Sequence, residues 1–362
     1  MPVTRITPSS IRLPETSPHR RQFAPQRDHP LDLHRCDEHT LLYDAVYDRR
    51  SKKLNLLAPS LKGLLPRNPV IDVKIDNKQR WAAFKKRFRI SLARLKARSV
   101  PSLIDLDFGL GDTSPSSFKP TVSLPPVPLT LSTLQKDNPI IWIEDWISYH
   151  SKLGVDRFLI YDNGSQNVED LVARLNQLAQ DIYLIDWPFE YGDTRHPRTL
   201  LAQRGALMHA TLLSRAGQWL GNFDIDEYLM VKSGRLHDVL PRNPLVGSLI
   251  VQNYIMPNTV GASQTRRAAD FIWREKQKRG RDNKYWLRLS GNPIPGVHRA
   301  NLSFPFRTKT APLDDLHFLH LFGLNAGYDE RKRGRLDAVT PQPDKHVEDR
   351  RLKSAFTRKT TT

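Results

Sequence analysis

Apolar positions along the chain change their period in a way that divides it into four stretches. Residues 1–40 carry few apolar positions and many prolines, and read as a disordered arm. Residues 41–128 hold two short strand-like stretches, 41–47 and 70–75. Between Lys78 and Arg98, Trp81, Phe84, Phe88, Leu92 and Leu95 then recur at three- and four-residue steps. Lys85, Lys86, Arg87, Arg89, Arg94 and Lys96 fill the positions between, which predicts a basic amphipathic helix. A linker follows and ends in the proline-rich LPPVP.

From 129 to 327 the pattern is regular. Short apolar runs (LTLSTL, RFLIY, 182–185 and 219–223) alternate with helical stripes. The first stripe is Ile143, Trp146, Ile147 and His150, opened by Asn138-Pro139 and closed by Gly154. The second is Val168, Leu171, Val172, Leu175 and Leu178; a third helix is expected near 199–215. Residues 328–362, with Arg331-Lys332-Arg333, read as a basic tail with little core.

Strands alternating with helices of this length predict an α/β domain with a mostly parallel sheet flanked by helices. Ligands in such sheets bind beyond the carboxyl ends of the strands. Polar clusters stand at each of those ends: Lys136-Asp137, Asp162-Asn163, Asp186-Trp187 and Asp224-Ile225-Asp226-Glu227. They are expected to share one rim.

Composition narrows the function classes. Cys36 is the single cysteine, which excludes an intrachain disulfide framework or a cysteine zinc site. No run is long and apolar enough for a membrane helix and the first residues lack an apolar signal core, so a cytoplasmic location is expected. The formal charge of +18 admits nucleic acid, an anionic membrane or an acidic substrate.

Asp224 and Asp226, read as alternate positions of a strand leaving the sheet, turn both carboxylates to one place and Ile225 to the core. Mn²⁺ or Mg²⁺ bridging a diphosphate relieves their repulsion and stabilises a departing nucleoside diphosphate.

The run Lys136-Asp137-Asn138, Trp142-Ile143-Glu144-Asp145-Trp146, His150, Gly154-Val155 and Ile160-Tyr161-Asp162-Asn163-Gly164-Ser165 resembles the opening of family 92 and related family 2-like glycosyltransferases. Gln203, Trp219 and the segment Phe223-Asp224-Ile225-Asp226-Glu227-Tyr228-Leu229 resemble that family's later motifs. The likeness runs from Leu129 to Leu324. Asn138 replaces the family's glutamate, Tyr228 its phenylalanine, and the match weakens around His317-Phe318-Leu319-His320.

The resemblance implies a GT-A-type fold, a nucleotide-sugar donor (a UDP-sugar first of all), a divalent metal and inversion at the anomeric carbon. It implies that Asp162 holds the nucleotide and that His298 completes the metal shell begun by Asp224 and Asp226, with His320 the alternative. Lys136, Asp137, Asn163 and Gln203 are expected near the donor. Arg204 either pairs with phosphate or lies on a solvated helix face. An inverting transfer also needs a base, for which Glu275 is favoured over Asp270, with Asp282 available. The acceptor class is a polysaccharide or a glycolipid.

Peripheral contact with the inner face of a membrane through the 78–98 helix is an open partner; nucleic acid is not expected. Two other readings remain. A nucleotidyltransferase shares the carboxylate–metal–phosphate logic, but the chain lacks a glycine-rich loop after the first strand. A non-catalytic basic protein binding nucleic acid or membrane explains the charge but not the acidic strand ends.

Overall fold

The structure, a computed structural model, describes every residue except 1, 24–29, 67, 88, 112–115, 194, 197–198, 215–216, 260–265, 325–337 and 358–362. Its centre is a mixed 10-stranded sheet. Across it run Thr4–Ile6, Asp181–Asp186, Arg157–Asp162, Leu129–Gln135, Trp219–Asn222, Arg279–Arg288, Val246–Met256, Leu316–Leu321 and Glu227–Val231, with Arg307–Thr310 also paired to Val246–Met256. The half from Thr4–Ile6 to Trp219–Asn222 is parallel. Arg279–Arg288 enters antiparallel to Trp219–Asn222, so the expected parallel order stops there.

The parallel half follows from its connections. The helices Ile140–Lys152, Val168–Leu175 and Leu201–Leu213 return the chain so that each strand starts at the same end. The first helix buries Trp142, Ile143, Trp146 and Ile147 against the sheet, on the stripe read from its spacing. The third lies against the opposite face, where Ala202, Ala206, Ala210 and Leu213 pack among Leu159, Tyr161 and Leu220.

Residues 41–122 form two further sheets. Thr121–Val122, Asp44–Asp48, Lys53–Pro59, Ile90–Lys96 and Lys85–Arg87 make one; Ser116–Phe118, Ile104–Asp107, Val70–Ile75 and Lys78–Ala83 make the other. Side chains of both, including Leu54, Leu56, Val73, Phe84 and Ile104, fill a common core. Tyr43, Val46, Leu57 and Leu92 of the first sheet pack with the third helix, which is thus held between this sandwich and the central sheet.

The amphipathic helix expected between Lys78 and Arg98 is not formed. That stretch is three strands, Lys78–Ala83, Lys85–Arg87 and Ile90–Lys96. Asp76 and Asn77 at φ 48° and 63° make the tight turn into the first, and Arg89 at φ 72° turns the chain between the second and third. Ala82 and Phe84 point inward at period two, while Trp81, counted in the helical stripe, is 65% exposed. The three- and four-residue spacing came from separate strands laid end to end; Phe88 lies outside the described residues.

Both ends of the chain are also more ordered than expected. Thr4–Ile6 extends the central sheet beside Asp181–Asp186, where Arg5 and Thr7 bind the Asp186 carboxylate. His346–Glu348 pairs with Trp273–Glu275, and the helix Arg351–Thr357 buries Leu352 in the main core. Arg331-Lys332-Arg333 lie outside the described residues. Within the expected linker, Ile104–Asp107, Ser116–Phe118 and Thr121–Val122 are strands. No described helix is long and apolar enough to cross a membrane.

At Gly205 the third helix comes close to Tyr43 and Trp187. A Cβ there would stand 2.7 Å from Tyr43 Cε2 and 3.0 Å from Trp187 Cζ2. Gly205→Val is expected to lower stability by about 1–3 kcal/mol through overpacking. An unchanged denaturant midpoint would refute that packing.

Candidate active site at the strand-end rim

Strand register brings the predicted clusters together. Gln135 pairs with Asp162 and Asp162 with Asp186, so three strand ends stand side by side. The next strand, Trp219–Asn222, ends one residue, Phe223, before the D-I-D sequence. Because Arg279–Arg288 runs antiparallel there, with Gly221 opposite Trp286, Lys284, two residues before Trp286, reaches the same rim.

Asp224, Ile225 and Asp226 occupy a turn, not a strand as expected. Glu227 clasps it from both sides: its backbone N–H donates to Asp224 O at 3.0 Å, and its carboxylate accepts the Asp224 N–H at 2.8 Å. Ile225 is fully buried and anchors the turn to the core. The turn, and not strand alternation, places the aspartates on the rim.

Behind it, the first helix holds the strand Glu227–Val231. Trp146 Nε1–H donates to Glu227 O at 3.2 Å and the Tyr149 hydroxyl to Leu229 O at 2.7 Å. His150 Nε2 accepts the Leu229 N–H at 3.3 Å while Nδ1 lies 2.8 Å from Trp146 O, so the ring is neutral with its proton on Nδ1. Burial pushes its pKa down from 6.5 to about 3. An imidazole kept neutral by folding stabilises the protein fully above its unfolded pKa, and that contribution is lost as pH falls from about 6.5 toward 3. His317, lowered by burial and then by Arg351 to about 4, acts in the same direction. Stability is therefore expected to decline below pH 6.5, and more shallowly in His150→Asn, as denaturation at stepped pH would show. Parallel slopes would contradict the assignment.

Lys284 is the residue that the sequence reading missed. Its ammonium, on a side chain 2% exposed, lies 2.9 Å from Asp224 Oδ2 and 3.2 Å from Glu227 Oε2. Burial opposes that charge, but attraction to Asp224 and Glu227 and hydrogen bonds to both outweigh it, so its pKa is raised and it stays protonated. Burial drives the Glu227 carboxyl upward, against the pull of Lys284. The signal was a lone lysine heading the apolar run Tyr285-Trp286-Leu287.

Asp226 is buried. Its Oδ2 lies 3.4 Å from His320 Nε2, and no hydrogen bond to its carboxylate comes from the described residues. His320 stacks edge-on against Phe322, whose face Arg279 covers at 4.9 Å. His298 is exposed as a residue, but protein atoms crowd its ring, which lies 3.2 Å from Asn283 O. Its pKa is lowered by desolvation first and then by Lys284, with Asp282 and Asp224 opposing.

The other expected site residues divide. The buried Asp162 carboxylate is taken up by its own turn, accepting from Gly164 N at 3.1 Å, Ser165 N at 2.9 Å, Ser165 Oγ and the Gln135 amide. Asn163 bonds Trp187 O and Phe189 O, and Asp137 accepts the Gln166 N–H at 2.8 Å. Lys136 is exposed, and Gln203 half-buried. Half-buried Arg204 faces Arg89 and Tyr285; desolvation, then Arg89, lowers its pKa to about 10.

Asp270 caps its own short helix through the Arg267 N–H, and Glu275 sits on the ribbon opposite His346. Neither makes a described hydrogen bond or ion pair with Asp224, Asp226 or Lys284. Asp282, the remaining base candidate, has φ 61° and stands 3.7 Å from Arg279.

Carboxylate oxygens from Asp224 and Asp226 with imidazole nitrogen nearby suit Mn²⁺ or Mg²⁺ in donor chemistry. Among the described residues, however, no three such side chains are gathered for a metal. The donor set fits an ion whose remaining ligands come from phosphate and water.

The model of glycosyltransferase family 92 matches residues 133–279. A glycosyltransferase family 92 protein of Ricinus communis is 32% identical over 130 residues, 35% of this chain and 20% of that protein. One from Oryza sativa subsp. japonica is 31% identical over 119 residues, 31% of this chain and 18% of that protein. The matched stretch thus spans about a fifth of the curated relatives' length. HddC from Yersinia pseudotuberculosis aligns at TM-score 0.31 and 13% identity over 53% of this chain and 93% of that chain, too distant to argue from. The matched segment takes in the Asp162 turn, the third helix and the turn from Asp224 to Glu227, so the similarity to glycosyltransferase family 92 falls on the strand-end rim.

Proposed function

We propose that this rim transfers a sugar from a nucleotide diphosphate donor, first of all a UDP-sugar, to a hydroxyl of a polysaccharide or glycolipid, with inversion. The observation that carries the reading is the turn from Asp224 to Glu227, clasped by its own glutamate and set among parallel strand ends within the family 92 segment. Asp224 and Asp226, with His298 as the further ligand expected from the family resemblance, would hold Mn²⁺ or Mg²⁺, which when bound supplies Lewis-acid stabilisation of the leaving diphosphate.

The chain's own groups do the rest. Asp162 shapes the loop from Asn163 to Ser165 that faces the donor, since its carboxylate is already engaged. Lys136 and Asp137 flank that loop, and Gln203 and Arg204 open the helix preceding the acidic turn. Arg279, seated on Phe322, adds positive charge next to His320. A carboxylate on the acceptor side, Glu275 before Asp270 because Asp270 is spent on its cap, takes the acceptor proton. The acceptor oxygen then bonds the anomeric carbon while the bond to the β-phosphate oxygen breaks, its electrons leaving with the nucleoside diphosphate.

Calorimetric titration with UDP, with and without Mn²⁺, tests the site. Binding that needs or is tightened by Mn²⁺ and is weakened in Asp226→Ala is expected. Binding indifferent to both would remove the rim as the donor site.

A further inference from the structure

The D-x-D turn already contains a cation of the protein's own. Lys284 is 2% exposed, and its ammonium bridges Asp224 and Glu227 at 2.9 Å and 3.2 Å. Asp224 retains a side chain 34% exposed, whereas Glu227 is 2% exposed and faces the interior. Strand pairing fixes this placement, because Lys284 pairs with Val251 in the same register that sets Tyr285, Trp286 and Leu287 within the core. A flexible surface lysine could swing away from an arriving ion; this one has nowhere to go.

Asp224 and Asp226 bring a formal charge of −2 to the turn, and the Lys284 ammonium offsets one of those charges where it touches Asp224. A divalent ion approaching Asp224 meets an ammonium a few ångströms behind the same carboxylate. Like charges at such range, in a partly desolvated site, cost enough to change affinity by an order of magnitude or more. A nucleotide diphosphate reverses the balance, since its phosphate charge attracts both cations.

We propose that Lys284 is a tethered competitor for the divalent metal, which makes the D-x-D turn a poor site for a bare ion and ties metal capture to arrival of the donor diphosphate. This rests on the reading of the rim as a nucleotide-sugar site. Lys284 is in this sense a positioning residue: it fixes Asp224 and sets the order in which charge enters the site.

The test is a titration of Mn²⁺ followed by the paramagnetic resonance of the free ion, without nucleotide. Wild type is expected to bind weakly, with Kd of about 1 mM or above, and Lys284→Met about tenfold or more tighter. Lys284→Arg, which keeps the charge, should stay within about twofold of wild type. Equal Mn²⁺ affinity in wild type and Lys284→Met overturns the inference, as does equal tightening in Lys284→Arg.

Should Lys284→Met fail to fold by circular dichroism, wild type decides. A sub-millimolar Mn²⁺ site lost in Asp226→Ala would overturn the inference, and its absence until UDP is added would support it. UDP calorimetry on the same wild-type sample separates the two ideas: no UDP binding sinks the donor reading, whatever Mn²⁺ does alone.

Discussion

Asp226→Ala is expected to lower the proposed sugar transfer by about 10²–10³-fold, because it would remove a carboxylate from the place where we propose that leaving-group charge is stabilised. The side chain is otherwise little used. No described hydrogen bond to its carboxylate is lost, and His320, 3.4 Å away, is itself partly exposed. The loss should therefore appear in kcat with the melting temperature nearly unchanged. Glu227→Ala makes the contrast, since it unclasps the turn and leaves buried Lys284 with one partner fewer. That variant should lose stability as well as turnover. A catalytic loss of less than tenfold in Asp226→Ala would show that the turn is not the reacting centre.

The largest stability effect is expected away from the rim. His209, at the middle of the third helix, lies with Nε2 2.8 Å from Asp44 Oδ2 and Nδ1 2.9 Å from the Tyr161 hydroxyl, with all three residues buried. Asp44 belongs to the sandwich and Tyr161 to the central sheet, so this chain of polar groups crosses the interface between the two. Asp44 also accepts the Ser9 and Ala45 N–H groups. Removing one partner leaves the others buried without compensation, and Asp44→Ala is expected to cost about 3 kcal/mol or more. His209→Ala should cost a similar amount, and the double variant clearly less than the sum, with a coupling of about 1 kcal/mol or more. Urea denaturation of the four proteins measures this. Additive losses would mean that the groups do not act as a unit.

How much of this was legible in the sequence depends on whether neighbours in space were neighbours in the chain. The helix Ile140–Lys152 and the strand Arg157–Asp162 carried their own signals, since local period and length agree with how they pack. The rim followed because strand ends of a parallel run meet wherever their helices place them. The sandwich did not follow. Its strands, Lys78–Ala83 through Ile90–Lys96, are short and half exposed, and their summed spacing imitates a helix. The turns at Asn77 and Arg89, with no glycine to mark them, were hidden.

The D-I-D carboxylates were found for a partly mistaken reason, because a turn held by Glu227 and not a strand presents them. Lys284 lies 60 residues from Asp224 and reaches it only because an antiparallel strand joins the parallel ones. No local pattern encodes that pairing. The base remains the least legible residue, since Glu275 and Asp270 reach no described partner at the acidic turn.

As proposed, this rim breaks the bond between sugar and nucleoside diphosphate. The most direct measurement is release of nucleoside diphosphate from a panel of nucleotide sugars by the purified full chain, with Mn²⁺ and with chelator, in the presence of oligosaccharide and glycolipid acceptors. Metal-dependent release is expected from one or a few donors, UDP-sugars foremost, and is expected to be lost in Asp226→Ala. Release that is the same in the variant, or none from any donor in the wild type that nevertheless binds UDP, would contradict it.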